Sequence, residues 1–352
     1  MNKSPRTRQN IAIIGAGMAG VTCARTLMQA GHTITLFEKS ADLGGRMATR
    51  DSAFGSFDHG TQYFTARDPR FVMALETSPT LVKRWSANAV QVIDEAGLVS
   101  TPPGAPVSEA HWVGVPDMRS LVAGWAQDLK APSQIELQTR VTLIEPDALK
   151  PGHWQLRTEG PDDARHVFSG FNAVLIAIPS GQAQSLLQNS KLAEPWITSL
   201  DAVQTAPCWT LMLAFPQAMQ PDLSILGPQW SAARSKHHRI AWLARESSKP
   251  GRSPIERWTV QASAEWSQEH LQDDPARVEA KLLKAFAEVT GIHAEPSHVD
   301  SHRWLYAKTF KPLGQSYLFN VDQGLGLCGD WCLGYRVEDA YISGLDLALA
   351  VL

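Results

Sequence analysis

The stretch Asn10–Glu38, "NIAIIGAGMAGVTCARTLMQAGHTITLFE", decides the fold. Asn10 to Ile14 is a short apolar run ending at glycine, which suits a buried parallel strand. A helix is expected from about Met18 to Ala30, with the small residues Ala19, Gly20, Cys23 and Ala24 on its sheet-facing side and Gly31 as its stop. "HTITLFE", from His32, alternates and is β-branched, so it reads as the second strand of a βαβ unit. Gly15, Gly17 and Gly20 form GxGxxG between strand and helix. The first glycine permits a tight turn, the second lets backbone approach a pyrophosphate at the helix N-terminus, and the third lets helix and strand pack closely. Glu38, at the end of the next strand, can accept hydrogen bonds from ribose hydroxyls. An acid there repels a 2′-phosphate, so the motif predicts FAD or NAD rather than NADP.

The rest of the composition sets outer bounds. With 352 residues, 44 % hydrophobic and 19 % charged, the chain can form one large or two medium domains, each with its own core. A net charge of -3 gives no bulk attraction to nucleic acid or to an anionic membrane, so neither is expected as a partner. The start "MNKSPRTRQN" plus the apolar run superficially resembles a secretory signal, yet the same residues read better as strand, turn and helix. No apolar run approaches the roughly 18 to 20 residues that span a bilayer, and a cytoplasmic location is expected. The four cysteines, Cys23, Cys208, Cys328 and Cys332, contain no CxxC pair.

Further along, "STPPGAP" (Ser100–Pro106) and "ESSKPGRSP" (Glu246–Pro254) read as loops, and Ala173–Ile178 as a buried strand halted by Pro179. Eight of the twelve tryptophans lie at Trp196 or later, which suggests a second domain or a pocket wall. The chain closes on a strand (Gly324–Cys328), a Gly329-Asp330 turn and a helix (Val337–Leu352), with Glu338 and Asp339 in its first turn. Just after the second strand, Gly44, Gly45 and Arg46 pair a glycine turn with a forked guanidinium, which suits an extended pyrophosphate.

Together, GxGxxG with Glu38, the Gly44-Gly45-Arg46 turn and the terminal Gly329-Asp330 resemble the FAD-binding signature of the flavin-dependent amine oxidase superfamily. Within it, "GGRMATR", "FDHGTQYFTARD", "HRWLYA" and "GDWCLGYRVEDAYISG" are similar to the bacterial renalase family over essentially the whole chain. The resemblance implies an α/β fold: a doubly wound, Rossmann-like FAD domain from residues 1–68, 116–182 and 316–352, and an α+β substrate domain from 69–115 and 183–315. It implies that Gly15, Gly17, Ala19, Gly20, Glu38, Lys39, Gly45 and Arg46 hold the ADP half of non-covalent FAD, with Val141 at the adenine through its backbone. Asp330, after Gly329, would bond the ribityl chain, and the backbone of Val337, Glu338 and Ala340 would face the flavin pyrimidine. Gly60, Thr61, Gln62 and Tyr63 would reach the isoalloxazine and substrate. Pro116-Asp117-Met118 departs from the family pattern, although Asp117 can cap the next helix, and Asp339 adds an acid near the pyrimidine edge.

The implied substrate is a misreduced NADH or NADPH isomer, reduced at ring position 2 or 6. It would give hydride to flavin N5 and leave as NAD(P)+, with oxygen as acceptor and hydrogen peroxide as co-product. Gln62 can bond a carboxamide, His302 a carboxamide or a ribose, and Tyr63, Trp209, Trp304 and Tyr306 can form an aromatic slot. His302 and Arg303 read equally as structural residues of a strand. The cluster Arg234–Arg252 reads as a phosphate site or as a solvated loop, and His237-His238 is a poor metal pair with no evident carboxylate partner. Oxidation or desaturation of an amine by the same flavin and a flavin-binding module without turnover are the competing readings. The oligomer, monomer or homodimer, is left open.

Overall fold

The computed structural model describes residues 8–85, 90–95, 99–100, 109–129, 133–219 and 230–352. Its first sheet has six strands: β1 (Asn10–Ile14), β2 (Thr33–Phe37), β7 (Gln134–Glu136), β11 (Ala173–Ile176), β17 (Leu318–Asn320) and β18 (Leu325–Leu327). They lie in the order β17-β18-β11-β1-β2-β7, parallel except for β17. Along β1 the side chains alternate between two cores. Ile11 and Ile13 face the helices α1 (Met18–Gln29) and α8 (Val337–Val351), whereas Ala12 and Ile14 face α4 (Ser180–Ser190) and α5 (Glu194–Leu200). A parallel strand covered on both faces has no polar side to show, which is why its sequence is a continuous apolar run.

The β1–α1 turn works as its glycines require. Gly15 has φ +103, and a Cβ there would stand 2.5 Å from the Ala177 carbonyl oxygen. A Cβ on Gly20 would collide with the carbonyl of Gly15, so the helix can lie this close only without one. The expected elements fall within two residues of those observed. The last helix buries Tyr341, Ile342, Ser343, Gly344, Leu347 and Ala348.

The second large sheet has seven strands: β4 (Val90–Ile93), β5 (Val99–Ser100), β12 (Gln204–Phe215), β13 (Ala232–Ser235), β14 (Ile240–Arg245), β15 (Glu256–Ala262) and β16 (His298–Lys311). Its order is β16-β12-β15-β14-β13-β4-β5, and one face packs on α6 (Ala264–Glu269) and α7 (Pro275–Thr290). Among the described residues there are two further, small sheets. One joins β8 (Arg140–Pro146), β9 (Trp154–Glu159) and β10 (Arg165–Phe171); the other joins β3 (Val82–Trp85) and β6 (His111–Gly114). The helices α2 (Pro69–Glu76) and α3 (Arg119–Ala126) bury Phe71, Leu75, Leu121 and Trp125 in the same core as α1 and α8. Residues 69–76, given to the second unit by the sequence reading, share a core with α1 and α8, and residues 183–200, given to it likewise, lie in the core on the other face of the first sheet. The loop expected at Ser100–Pro106 lies, beyond Ser100, outside the described residues. No helix among the described residues is long and apolar enough to cross a membrane.

Candidate active site

A cavity of about 1080 Å³ runs from the β1–α1 turn to β16. At its near end Gly15, Gly17, Ala19, Glu38 and Lys39 line one wall and Arg140 and Val141 another. Glu38 is 7 % exposed, and its carboxylate accepts hydrogen bonds from the backbone of Ala16 and Ser40, both at 2.9 Å. Each oxygen keeps a free lone pair for a hydroxyl. Gly17 caps α1 with no side-chain bond to the helix end, and Gly17 and Gly44 bridge, bringing the two glycine turns side by side. The chain offers bare backbone and a helix N-terminus where a diphosphate would lie. These residues fit an adenosine diphosphate.

Midway along, Arg46 forms an ion pair with Asp330, a residue 284 positions later, and also donates to the Tyr306 carbonyl at 3.3 Å. Gly329 donates its N–H to Ser343 Oγ at 2.8 Å, which fastens the turn to α8. Val337 and Ala340 line the cavity. Asp339 is turned back, accepting from the amides of Tyr335 (2.9 Å) and Arg336 (2.8 Å), so its acid does not line the site. Cys328 and Cys332 are fully buried; burial pushes the Cys332 thiol up to about 12 and raises Cys328 as well. None of the four cysteines lines the cavity. They are protonated packing residues.

The far wall is β16, which contributes His302, Arg303, Trp304, Leu305, Tyr306 and Ala307. Facing it are Arg50, Thr61 and His59. His59 stacks on Trp304 with ring centroids 5.2 Å apart and meets His302 edge-on at 4.9 Å. The Trp304 indole donates to the His59 carbonyl at 2.9 Å. Burial first, then His302 and Arg50, lower the His59 pKa to about 3; burial and then Arg50 lower that of His302 to about 4, against Asp300. Both rings are therefore neutral near pH 7. The sequence reading missed His59 and Arg50, although His59 sits inside the motif "FDHGTQYF" and Arg50 ends the motif "GGRMATR".

Other expected site residues are elsewhere. Gln62 is 5 % exposed; its amide donates to the carbonyls of Asp58 and Gly60, and its oxygen accepts from Lys249 at 3.4 Å. It fixes its own loop. Tyr63 packs against His111 (4.0 Å) and Trp242 (5.3 Å), and Arg234 donates to its hydroxyl. Trp209 lies on the opposite face of the sheet, in the core with α6 and α7, and donates to the His270 carbonyl. None of the three lines the cavity, nor do Gly20, Gly60 and Glu338. Glu338 accepts from the backbone of Arg67 and Asp68, while Gly60 packs on the Arg46 carbonyl.

The basic stretch Arg234–Arg252 is neither a solvated loop nor part of the cavity wall at its centre. Lys249 is wholly buried, donating to Asp58 (3.0 Å) and Glu246 (2.9 Å), and Arg252 donates to Asp58 at 2.6 Å. Burial works to raise the Asp58 pKa, but Lys249 and Arg252 hold it well below the usual carboxylate range. Asp58 also accepts from Thr49 Oγ1 and from the Met118 amide, each at 2.9 Å. Asp117 stands one residue before Met118, the N-cap of α3, and accepts from the Ser120 amide at 3.0 Å. His237 does have a carboxylate near it, Glu288 of α7 at 3.4 Å.

A parallel sheet with a glycine-rich βαβ turn, a mixed seven-stranded roof and a long cavity between them define a dinucleotide-binding fold of the two-sheet kind. The family model for flavin-containing amine oxidoreductases matches residues 107–352, and that for NAD(P)-binding Rossmann-like domains matches residues 13–75. The chain belongs to the flavin-containing amine oxidoreductase family, which implies a flavin cofactor. Among solved structures it is similar to cyclohexylamine oxidase from Brevibacterium oxydans IH-35A, at TM-score 0.72 and 13 % identity, covering 98 % of this chain and 99 % of that one. Putrescine oxidase bound to putrescine gives TM-score 0.71 and 12 % identity over 98 % and 99 %. By sequence, putrescine oxidase of Kocuria rosea is 27 % identical over 202 residues, 51 % of this chain and 41 % of that protein. The chain spans less than half the length of the curated relatives it matches, 34 % for a flavin-containing monooxygenase GS-OX-like protein of Arabidopsis thaliana.

Proposed function

We propose that the cavity binds FAD non-covalently and that the chain is a renalase-like oxidase of misreduced dihydro-NAD(P) isomers. The observation that carries this reading is the β16 wall. Its lining residues are two aromatics, one histidine held neutral and two apolar residues, with no carboxylate, while the Arg303 side chain turns away to Trp209 and the Leu271 carbonyl. Such a wall suits a flat, neutral ring and offers a protonated amine no counter-charge. FAD would supply the two-electron acceptor: hydride leaves ring carbon 2 or 6, the ring becomes aromatic NAD(P)+, and oxygen with a proton takes the electrons off as hydrogen peroxide. For such a reaction the chain needs no strong acid or base. Trp304 and Tyr306 orient the ring, His302 donates to a carboxamide oxygen, and Arg46 with Asp330 holds the cofactor's diphosphate and ribityl segment.

That none of the cysteines lines the cavity supports the non-covalent state. Amine oxidation is the second reading, favoured by the full-length likeness to cyclohexylamine and putrescine oxidases. Product analysis tests the choice. Aerobic incubation with 2- or 6-dihydro-NAD is expected to give NAD+ and hydrogen peroxide in equal amounts; peroxide from amines alone would reject the proposal. In this reading a cytoplasmic protein, monomeric or homodimeric, acts on a dinucleotide substrate, with oxygen as the electron acceptor.

A further inference from the structure

His302 lies on the cavity wall with its two ring nitrogens in unlike surroundings. Nδ1 is 3.2 Å from Arg50 Nη2. A guanidinium only donates, so Nδ1 must be the acceptor and the ring proton must sit on Nε2. Arg50 is itself held in place. Its other nitrogen donates to Asp300 Oδ2 at 2.6 Å and to the Ser301 carbonyl at 3.5 Å. Its backbone is pinned by a reciprocal pair with Phe57, both bonds 2.8 Å, which closes the turn at Ser52–Gly55. Asp300 and Ser301 precede His302 on β16, so one guanidinium ties the turn before the cavity to the strand behind it. Among the described residues nothing bonds Nε2 of His302.

We propose that Arg50 is a positioning residue for His302: it locks the ring as the neutral Nε2–H tautomer, so that the cavity presents a fixed donor selecting ligands with a neutral carbonyl or amide oxygen over protonated amines. A protonated amine has no lone pair to accept from Nε2–H and would meet the Arg50 charge besides. The charged and titratable groups around the ring are Arg50, Asp300 on the same strand, Arg303 beside it, His59 on the facing loop, and Asp58 behind His59; Thr210, opposite on β12, is uncharged. Burial is the largest cause of the lowered His302 pKa, Arg50 the next, and Asp300 opposes them. Arg50 thus settles which nitrogen carries the proton and adds to burial in keeping the ring neutral.

This inference deepens the dihydronicotinamide reading and rests on it for its ligand class, but its test does not. In the flavin-loaded protein labelled with 15N-histidine, the His302 signal, assigned through His302→Gln, is expected to show the Nε2–H tautomer with no titration from pH 5 to 9. In Arg50→Met the ring is expected to lose its fixed tautomer and its pKa to rise above that of the unaltered protein, since burial remains but Asp300 is then unopposed, and Arg50→Lys, which still donates, restores the Nε2–H tautomer. Nicotinamide, as the neutral amide probe, is expected to bind Arg50→Met about fivefold more weakly at pH 8, the worth of one neutral hydrogen bond. An Nδ1–H tautomer, titration in the unaltered protein above pH 5, or an Arg50→Met spectrum like the unaltered one would each overturn the inference. The tautomer measurement needs no variant, so a failure of Arg50→Met to fold does not rescue it. If amines rather than dihydronicotinamides prove to be substrates while the spectra come out as expected, the substrate reading fails and the role of Arg50 stands.

Discussion

Single residues carry the electrostatics of the site. His59 and His302 have folded-state pKa values near 3 and 4, below the ordinary histidine value of about 6.5. Between those limits the unfolded chain binds more protons than the folded one. The stability these rings contribute is therefore complete above about pH 6.5 and is lost as pH falls through 4 toward 3. Unfolding followed at pH 7.5 and pH 4.5 is expected to show this loss, and a His59→Gln, His302→Gln double variant to lose less over the same interval. Glu38→Ala is expected to weaken flavin retention roughly tenfold or more, since hydrogen bonds to a charged acceptor are lost. Flavin-to-protein ratio after gel filtration reads it; full retention would place the ribose elsewhere. Glu38 was legible because its partners are one turn and one strand away in sequence. His59 was not, because its ring acquires meaning only when β16, more than 240 residues later, brings Trp304 against it.

At the scale of elements, local pattern found the βαβ unit and the closing helix, whose apolar spacing and glycines are set by neighbours within the same segment. What it could not find is the burial within Glu246–Pro254, read from its Pro and Gly simply as a loop. Its Lys249 meets Asp58 across 191 residues, and that ion network, not the loop's own composition, buries it. Lys249→Met strands Glu246 and weakens the hold on Asp58, at an expected cost of about 3 to 5 kcal/mol; denaturant unfolding measures it, and an unchanged midpoint would show the network to be dispensable. The contact of α1 with α8 is similarly demanding, since a Cβ on Gly344 would run into the Ala19 carbonyl. Gly344→Ala is expected to cost about 1 to 3 kcal/mol as the helices are forced apart and to loosen the cofactor, because Ala19 and Ala340 both line the cavity.

The whole molecule is a closure of distant segments around one cavity. Arg46 from the first glycine-rich turns meets Asp330 from the last turn, and β16 of the second sheet forms the roof. The doubly wound sheet, its cofactor-facing glycines and the terminal clasp were readable from motifs. Of the roof, His302, Trp304 and Tyr306 were named from the sequence and line the cavity, whereas His59 and Arg50 opposite them were not, because they follow from which faces meet in three dimensions. Gln62 and Tyr63 share a motif with residues that do line the cavity, yet side-chain direction sends them to other neighbours, and Trp209 sits on β12, none of whose residues lines it. The central claim is that this cavity oxidises a neutral dihydronicotinamide. Anaerobic mixing of the flavin-loaded protein with 2- and 6-dihydro-NAD(P), and separately with putrescine and cyclohexylamine, tests it most directly. Rapid bleaching of the flavin by a dihydronicotinamide isomer with no response to the amines is the predicted result; bleaching by an amine and not by either isomer would contradict it.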